Sequence, residues 1–330
     1  MLNILWFTIN SIFPLIGIIL LGYMLRRVGF FNENFISIAN KFVFKLCLPA
    51  LLFYNIYNIE SISDINWGSL AFALTMTVVL FLLGLIAALL TTDNSKRRGV
   101  IWQCVYRSNF ALIGFPLAMS LFGDEGGAVA ALLSGFTIPI YNIFAVISLS
   151  VFVGGNKVSV KKVLSDIIHN PLIMGAGLGL LVLALRWLIG EPLFTLKGSL
   201  PFLYDIIGEV AAFASPLALI VLGGQFRLRA AKSMAKEIAV ATTARIAVAP
   251  VLAISSAMLL EHMGVISLSG ADYAAYIALF GTPVAVSSAI MAGNMGSDEQ
   301  LASQLVVWTS LFSIVTMFVL VFFAKMIGLI

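Results

Sequence analysis

Two arginines lie where a charge is hardest to hold, inside long apolar runs. Arg107 follows Arg98 of a basic cluster by nine residues, and Arg245 follows Lys236 by nine. At about 1.5 Å per helical residue each sits about 13 Å into its segment, close to mid-depth of a hydrocarbon core about 30 Å thick. An ionisable side chain at that depth is costly and marks a candidate site. Both are cations, and the nearest acid of comparable depth is Glu209. Asn109, Asn142, Ser287 and Ser288 add neutral hydrogen-bonding groups in apolar surroundings. Two Gly-x-Pro triplets, Gly114-Phe115-Pro116 and Gly281-Thr282-Pro283, fall in the middle of such runs. Proline removes an amide donor and glycine relaxes the backbone, so helices are expected to break at Pro116 and Pro283. Each break would turn a half-helix N-terminus, with its partial positive charge and free amides, toward the midplane. Cations, amides and helix ends together suit carboxylate oxygens, so the expected chemistry is anion binding. A plainer account stands beside it, in which the arginines snorkel to the interface and Asn109 only ties helices together.

The elements that must position these residues follow from composition. Of 330 residues 61% are apolar and 10% charged, with a mean hydropathy of +1.07, against about 25% charged in soluble domains. The chain therefore reads as an all-α membrane protein. Apolar runs of roughly 20 residues give ten expected transmembrane spans, near 8–25, 36–57, 67–90, 99–121, 126–153, 167–188, 202–224, 237–259, 272–293 and 301–324. Nothing is left for an aqueous catalytic domain. The N-terminal run has no basic segment before it and is expected to be a first span, not a cleaved signal. Cys47 and Cys104 fall in or beside apolar stretches and are expected to act as small hydrophobes. There is no phosphate loop, and His169 and His262 sit near opposite faces with no metal-ligand spacing, so neither ATP, a cofactor, a metal nor an enzyme is expected. The net charge of +4 reports orientation and not nucleic acid.

Cations cluster after the odd-numbered spans: Arg26 and Arg27; Lys96, Arg97 and Arg98; Lys157, Lys161 and Lys162; Arg227, Arg229, Lys232 and Lys236. The opposite side has Arg186, Lys197 and Lys325 with Glu60, Asp64, Asp124, Glu125, Glu191, Glu261 and Asp272. The basic side is cytoplasmic by the positive-inside rule, which places both termini outside. One loop departs from this pattern, since Gly296-Ser297-Asp298-Glu299 should be cytoplasmic yet holds no cation.

A weak internal repeat is present. Pro14 with Gly22 matches Pro171 with Gly179, Pro49 matches Pro216, and Pro116 matches Pro283, with 67 residues between the second and third prolines in both halves. Residues 1–153 and 167–330 are thus expected to form two five-helix repeats joined by a short cytoplasmic linker, 154–166. Five is odd, so the second repeat inserts upside down. The Gly175-Ala176-Gly177-Leu178-Gly179 run reads as a close-packing face.

Arg107-Ser108-Asn109 before Gly114-Phe115-Pro116-Leu117, Leu48-Pro49-Ala50-Leu51-Leu52-Phe53, Pro216-Leu217-Ala218 ending in Leu222-Gly223-Gly224, and the ninth-span Gly-x-Pro together resemble the auxin efflux carrier family. The resemblance spans the chain and implies a fold related to the bile-acid and sodium/proton transporters, with the fourth and ninth helices broken and crossing beside the substrate. It also implies a bacterial carrier of organic acids such as malonate, in the inner membrane. The long cytoplasmic loop of plant members is absent. The expected function is a secondary transporter of small organic anions, mono- or dicarboxylates or auxin-like acids, working by alternating access. A sensor that keeps the carrier fold and an anion channel are the alternatives. The expected site is Arg107, Asn109, Gly114, Pro116, Asn142, Arg245, Pro283, Ser287 and Ser288. A proton or sodium ion is the expected coupling partner, the bilayer the surroundings, and a homodimer is allowed.

Overall fold

A computed structural model describes residues 14, 17–58, 66–153, 165, 167–189, 195–226 and 230–330. The cations Lys157, Lys161, Lys162, Arg227 and Arg229, the acids Glu60, Asp64 and Glu191, and most of the 154–166 linker lie outside the described residues. Regular structure is helical. In chain order the helices longer than one turn are α1 (17–27), α2 (Glu33–Tyr57), α3 (Trp67–Thr91), α4 (Ser95–Tyr106), α5 (Phe115–Val151), α6 (Pro171–Ile189), α7 (Pro201–Gln225), α8 (Ala235–His262), α9 (Gly270–Gly281), α10 (Ser287–Asn294) and α11 (Glu299–Met326). Among the described residues six are long and apolar enough to cross a membrane: α2, α3, α7, α8, α11 and the Glu125–Val151 part of α5.

Local sequence fixes where several of these helices begin. Asn32, Asn66, Asn94 and Asp298 accept hydrogen bonds from first-turn amides of α2, α3, α4 and α11, and Ser269 forms a capping box with Asp272 on α9. Side-chain oxygens thus satisfy amides that the helix leaves unpaired. Outward faces are apolar, as with Leu82, Leu83, Ile86 and Leu90 on α3 and Val315, Val319 and Phe323 on α11. Such faces suit lipid.

Three prolines near helix starts are handled in a repeated way. Wide π turns at Val43–Cys47, Phe110–Gly114 and Ala244–Val248 each end two residues before a proline, namely Pro49, Pro116 and Pro250. The amide just before each proline reaches back five residues, from Leu48 to Val43, Phe115 to Phe110 and Ala249 to Ala244. The widened turn makes room for a ring that would collide with an ordinary α turn, so the helix continues.

This corrects the expected position of one break. The chain leaves helical geometry at Arg107-Ser108-Asn109, well before Pro116, whose backbone is helical in the first turn of α5. Pro283 does lie in its break, at 282–286 between α9 and α10. The turn expected between the fourth and fifth predicted spans falls inside α5 at Phe122 and Gly123, where Gly123 takes φ 61°, a left-handed value that favours glycine.

Helices gather in two bundles. In the first, α1, α2, α6 and α7 approach through glycines: Gly22 faces Ile220, Gly223 faces Ile19, and Gly175 and Gly179 face Pro49 and Ile56. In the second, α4 lies between α3 and α5, and α9 packs on α5, α8 and α11. Gly84 faces Trp102 and Gly99 faces Ser148. On one face Arg97 pairs with Glu237 at 2.7 Å and Asp298 at 3.0 Å. The cation-free Asp298 loop therefore borrows its cation from the first turn of α4, which explains its anomalous composition.

Candidate functional site

The site begins where the two interrupted helices meet. After α4 and α9 the backbone is extended, with Arg107 at ψ 112° and Thr282 at ψ 154°. The two extended pieces pair antiparallel at Ser108 and Val284. The Asn109 amide donates to the Pro283 carbonyl at 2.7 Å, and the Val284 amide donates to Thr309 Oγ1 at 3.2 Å. Two of the amides freed by the breaks thus find partners in the protein, as the membrane interior demands.

Arg245, on α8, is fully buried at this crossing. Its Nε donates to Thr282 O at 3.0 Å, Nη1 to Val105 O and Tyr106 O at 3.1 Å each, and Nη2 to Leu279 O at 3.3 Å and Phe280 O at 2.8 Å. Those carbonyls belong to the last two residues of α4, to Leu279 and Phe280 in the last turn of α9, and to the first residue of the break. Five donors meet five carbonyls, so the guanidinium is saturated.

Arg107 is placed differently. It is 4% exposed and lines a cavity between the bundles. Its Nη1 donates to the Met291 sulfur at 2.8 Å, and Nη2 to Asn142 Oδ1 and Ser287 Oγ at 2.9 Å each. Among the described residues no carboxylate pairs with it. Asn109 and Asn142, both buried in the cavity wall, keep Nδ2 donors that find no partner among the described residues. A buried cation and two idle amide donors make a strongly acceptor-seeking surface. Cavity volume is about 70 Å³, room for about five waters.

The two bundles contribute unequally. Arg107, Ser108, Asn109, Tyr141, Asn142 and Ser287 come from the second, whereas among the described residues the first supplies apolar groups alone, Leu48, Leu51, Leu52, Leu172, Ala214 and Ala218. Of the residues singled out from the sequence, Arg107, Asn109, Asn142 and Ser287 come together here. Arg245 does not line the cavity; its charge is spent on backbone carbonyls. Gly114 lets α9 pass, since a Cβ there would meet Phe110 and Ala278 O. Pro283 contributes its carbonyl, and Ser288 is buried outside the cavity wall with an unpartnered hydroxyl. The Pro116 side chain lies outside the described residues. Glu209 is exposed on α7 and is not in the wall. Neither arginine snorkels. Ser108 and Tyr141 were not singled out, although Ser108 sits inside the Arg-Ser-Asn motif; the wall of Leu48, Leu51 and Leu52 surrounds the flagged Pro49.

A family model described as "Membrane transport protein" matches residues 7–152 and 156–321. The chain belongs to that family, the auxin efflux carriers. Relatives include an uncharacterized transporter of Methanothermobacter thermautotrophicus, 22% identical over 93% of this chain and 95% of its own length. Another, from Methanocaldococcus jannaschii, is also named an uncharacterized transporter and is 26% identical over 75% of this chain and 78% of its own. A protein of Rhizobium meliloti named "Putative malonate transporter" is 25% identical over 92% of both chains. This family member is therefore an integral membrane protein, and the names of its relatives indicate transport and not enzymatic catalysis.

Proposed function

We propose that this family member is a secondary carrier of small organic anions, with mono- and dicarboxylates such as malonate as substrates. Arg107 carries the proposal. A guanidinium buried without a carboxylate partner is costly, and a carboxylate entering the cavity would pair with it and with Asn109 and Asn142 Nδ2. The small cavity favours acids of malonate size over auxin-sized rings. The name of the Rhizobium meliloti relative agrees with this choice.

Ten spans in two inverted repeats are part of the same proposal, supported by two interrupted helices that meet at one crossing. Alternating access then parts the bundles on one side of the cavity at a time. External termini in a bacterial inner membrane are supported by the side on which the loop cations cluster. A proton or sodium ion remains the proposed coupling partner, without Glu209.

The test is uptake and counterflow in proteoliposomes with a carboxylate panel, with and without a sodium or pH gradient. Saturable malonate uptake with counterflow is expected. Flux without counterflow would identify a channel, and binding without flux would identify a sensor.

A further inference from the structure

A crossing of two broken helices brings four helix ends to one place, two negative C-termini and two positive N-termini. Left alone these would offset each other and give a site without charge preference. Here the negative pair is met by Arg245. Its five hydrogen bonds are shared between Val105 and Tyr106 at the end of α4, Leu279 and Phe280 at the end of α9, and Thr282 beyond it. Two C-termini amount to about one negative charge, which one guanidinium cancels. The other pair faces the cavity: Ser108, Asn109 and Ala111 at the start of one second half, and Ala285, Val286 and Ser287 at the start of the other, lie in its wall. Those ends contribute about one positive charge, and Arg107 contributes another. Nδ2 of Asn109 and Asn142, both buried without a partner among the described residues, add donors and no acceptor demand.

We propose that Arg245 is the specificity-determining residue of this site: by neutralising both helix C-termini it leaves a cavity of about two positive charges, matched to a dianion. It touches no substrate and acts through the crossing, as a positioning residue. The inference rests on the anion-carrier proposal and narrows the substrate to small dicarboxylates over monocarboxylates of the same shape.

Malonate and its monoamide, malonamate, differ by one charge and hardly in size, so their uptake ratio in proteoliposomes reads the charge preference directly. Wild type is expected to favour malonate. Arg245→Gln should shrink that ratio on the order of tenfold, while Arg245→Lys, which keeps the charge, should hold it near wild type. A role in folding alone would lower both substrates together and leave the ratio alone. Should the Gln variant fail to fold, Cys104→Asp decides. The Cys104 sulfur lies 3.7 Å from Ala241 O, one turn before Arg245, so a carboxylate there cancels the charge while leaving the guanidinium in place. It too should shrink the ratio. An unchanged ratio in folded Arg245→Gln or Cys104→Asp, or a wild type indifferent to the second charge, overturns the inference. If wild type carries no carboxylate of either charge, the anion-carrier proposal itself falls.

Discussion

Arg107 and Arg245 share residue type, depth and spacing from the nearest basic cluster, yet one lines a cavity and the other clamps a backbone. Depth was legible because it depends only on chain distance from the interface. Facing was not, because it depends on which helix each side chain meets: Arg107 reaches Asn142 and Ser287, from α5 and α10, and Arg245 reaches the ends of α4 and α9. The difference sets opposed expectations for substitution. A hydrogen bond to a charged group contributes roughly 1.5 to 3 kcal/mol, so Arg107→Gln or Asn109→Ala should weaken carboxylate binding by about ten- to a hundredfold. Calorimetry on purified protein measures this, with thermal unfolding as the companion. For these two variants affinity should fall and melting should hold. For Arg245→Met both should fall, because five carbonyls of a buried crossing lose their donors. Unchanged affinity in folded Arg107→Gln and Asn109→Ala would remove the cavity from the mechanism.

At the scale of elements, proline proved an ambiguous signal. Pro283 marks a true break because the chain around it pairs with Ser108 and Asn109. Pro116 sits in a helix because a π turn precedes it, as at Pro49 and Pro250. The repeat built on matching Pro116 to Pro283 therefore aligned a continuing helix with an interruption. Nothing local distinguishes them, since the antiparallel pairing joins residues 176 positions apart, Ser108 and Val284. Glycine was the more dependable guide to packing. A Cβ at Gly223 would overlap the Ile19 carbonyl of α1, whereas one at Gly177 meets open space. Gly223→Ala should accordingly lower stability by about 1 to 3 kcal/mol, as overpacking does. Gly177→Ala should be neutral or stabilising by about 0.5 to 1 kcal/mol, through better helix propensity. Thermal unfolding in detergent compares them, and equal effects would contradict the close α1–α7 approach.

Across the whole molecule the bonds are distributed so that the seam between the two bundles is the more lightly linked. Within the second bundle the basic face is held by charge pairs, Arg97 with Glu237 and Asp298. Between the bundles the same face carries lighter links. Asn40 Nδ2 donates to Glu299 at 3.2 Å, Asn294 Nδ2 donates to Asn40 Oδ1 at 3.4 Å, and Gln300 Nε2 donates to the Gln225 carbonyl at 3.0 Å. The cavity lies in this seam, with a polar wall from one bundle and an apolar wall from the other. An apolar wall can slide past a bound anion without leaving buried polar atoms unpaired, whereas a shared polar wall could not. Under the proposed alternating access the Asn40 links would open and close in each cycle. Cysteines at 40 and 294, in a background lacking Cys47 and Cys104, should form a disulfide that arrests counterflow while leaving malonate binding within about threefold of the reduced form. Reductant should restore transport. Full-rate counterflow by the cross-linked protein would show that the two bundles do not separate on this face, and the seam would have to be sought elsewhere.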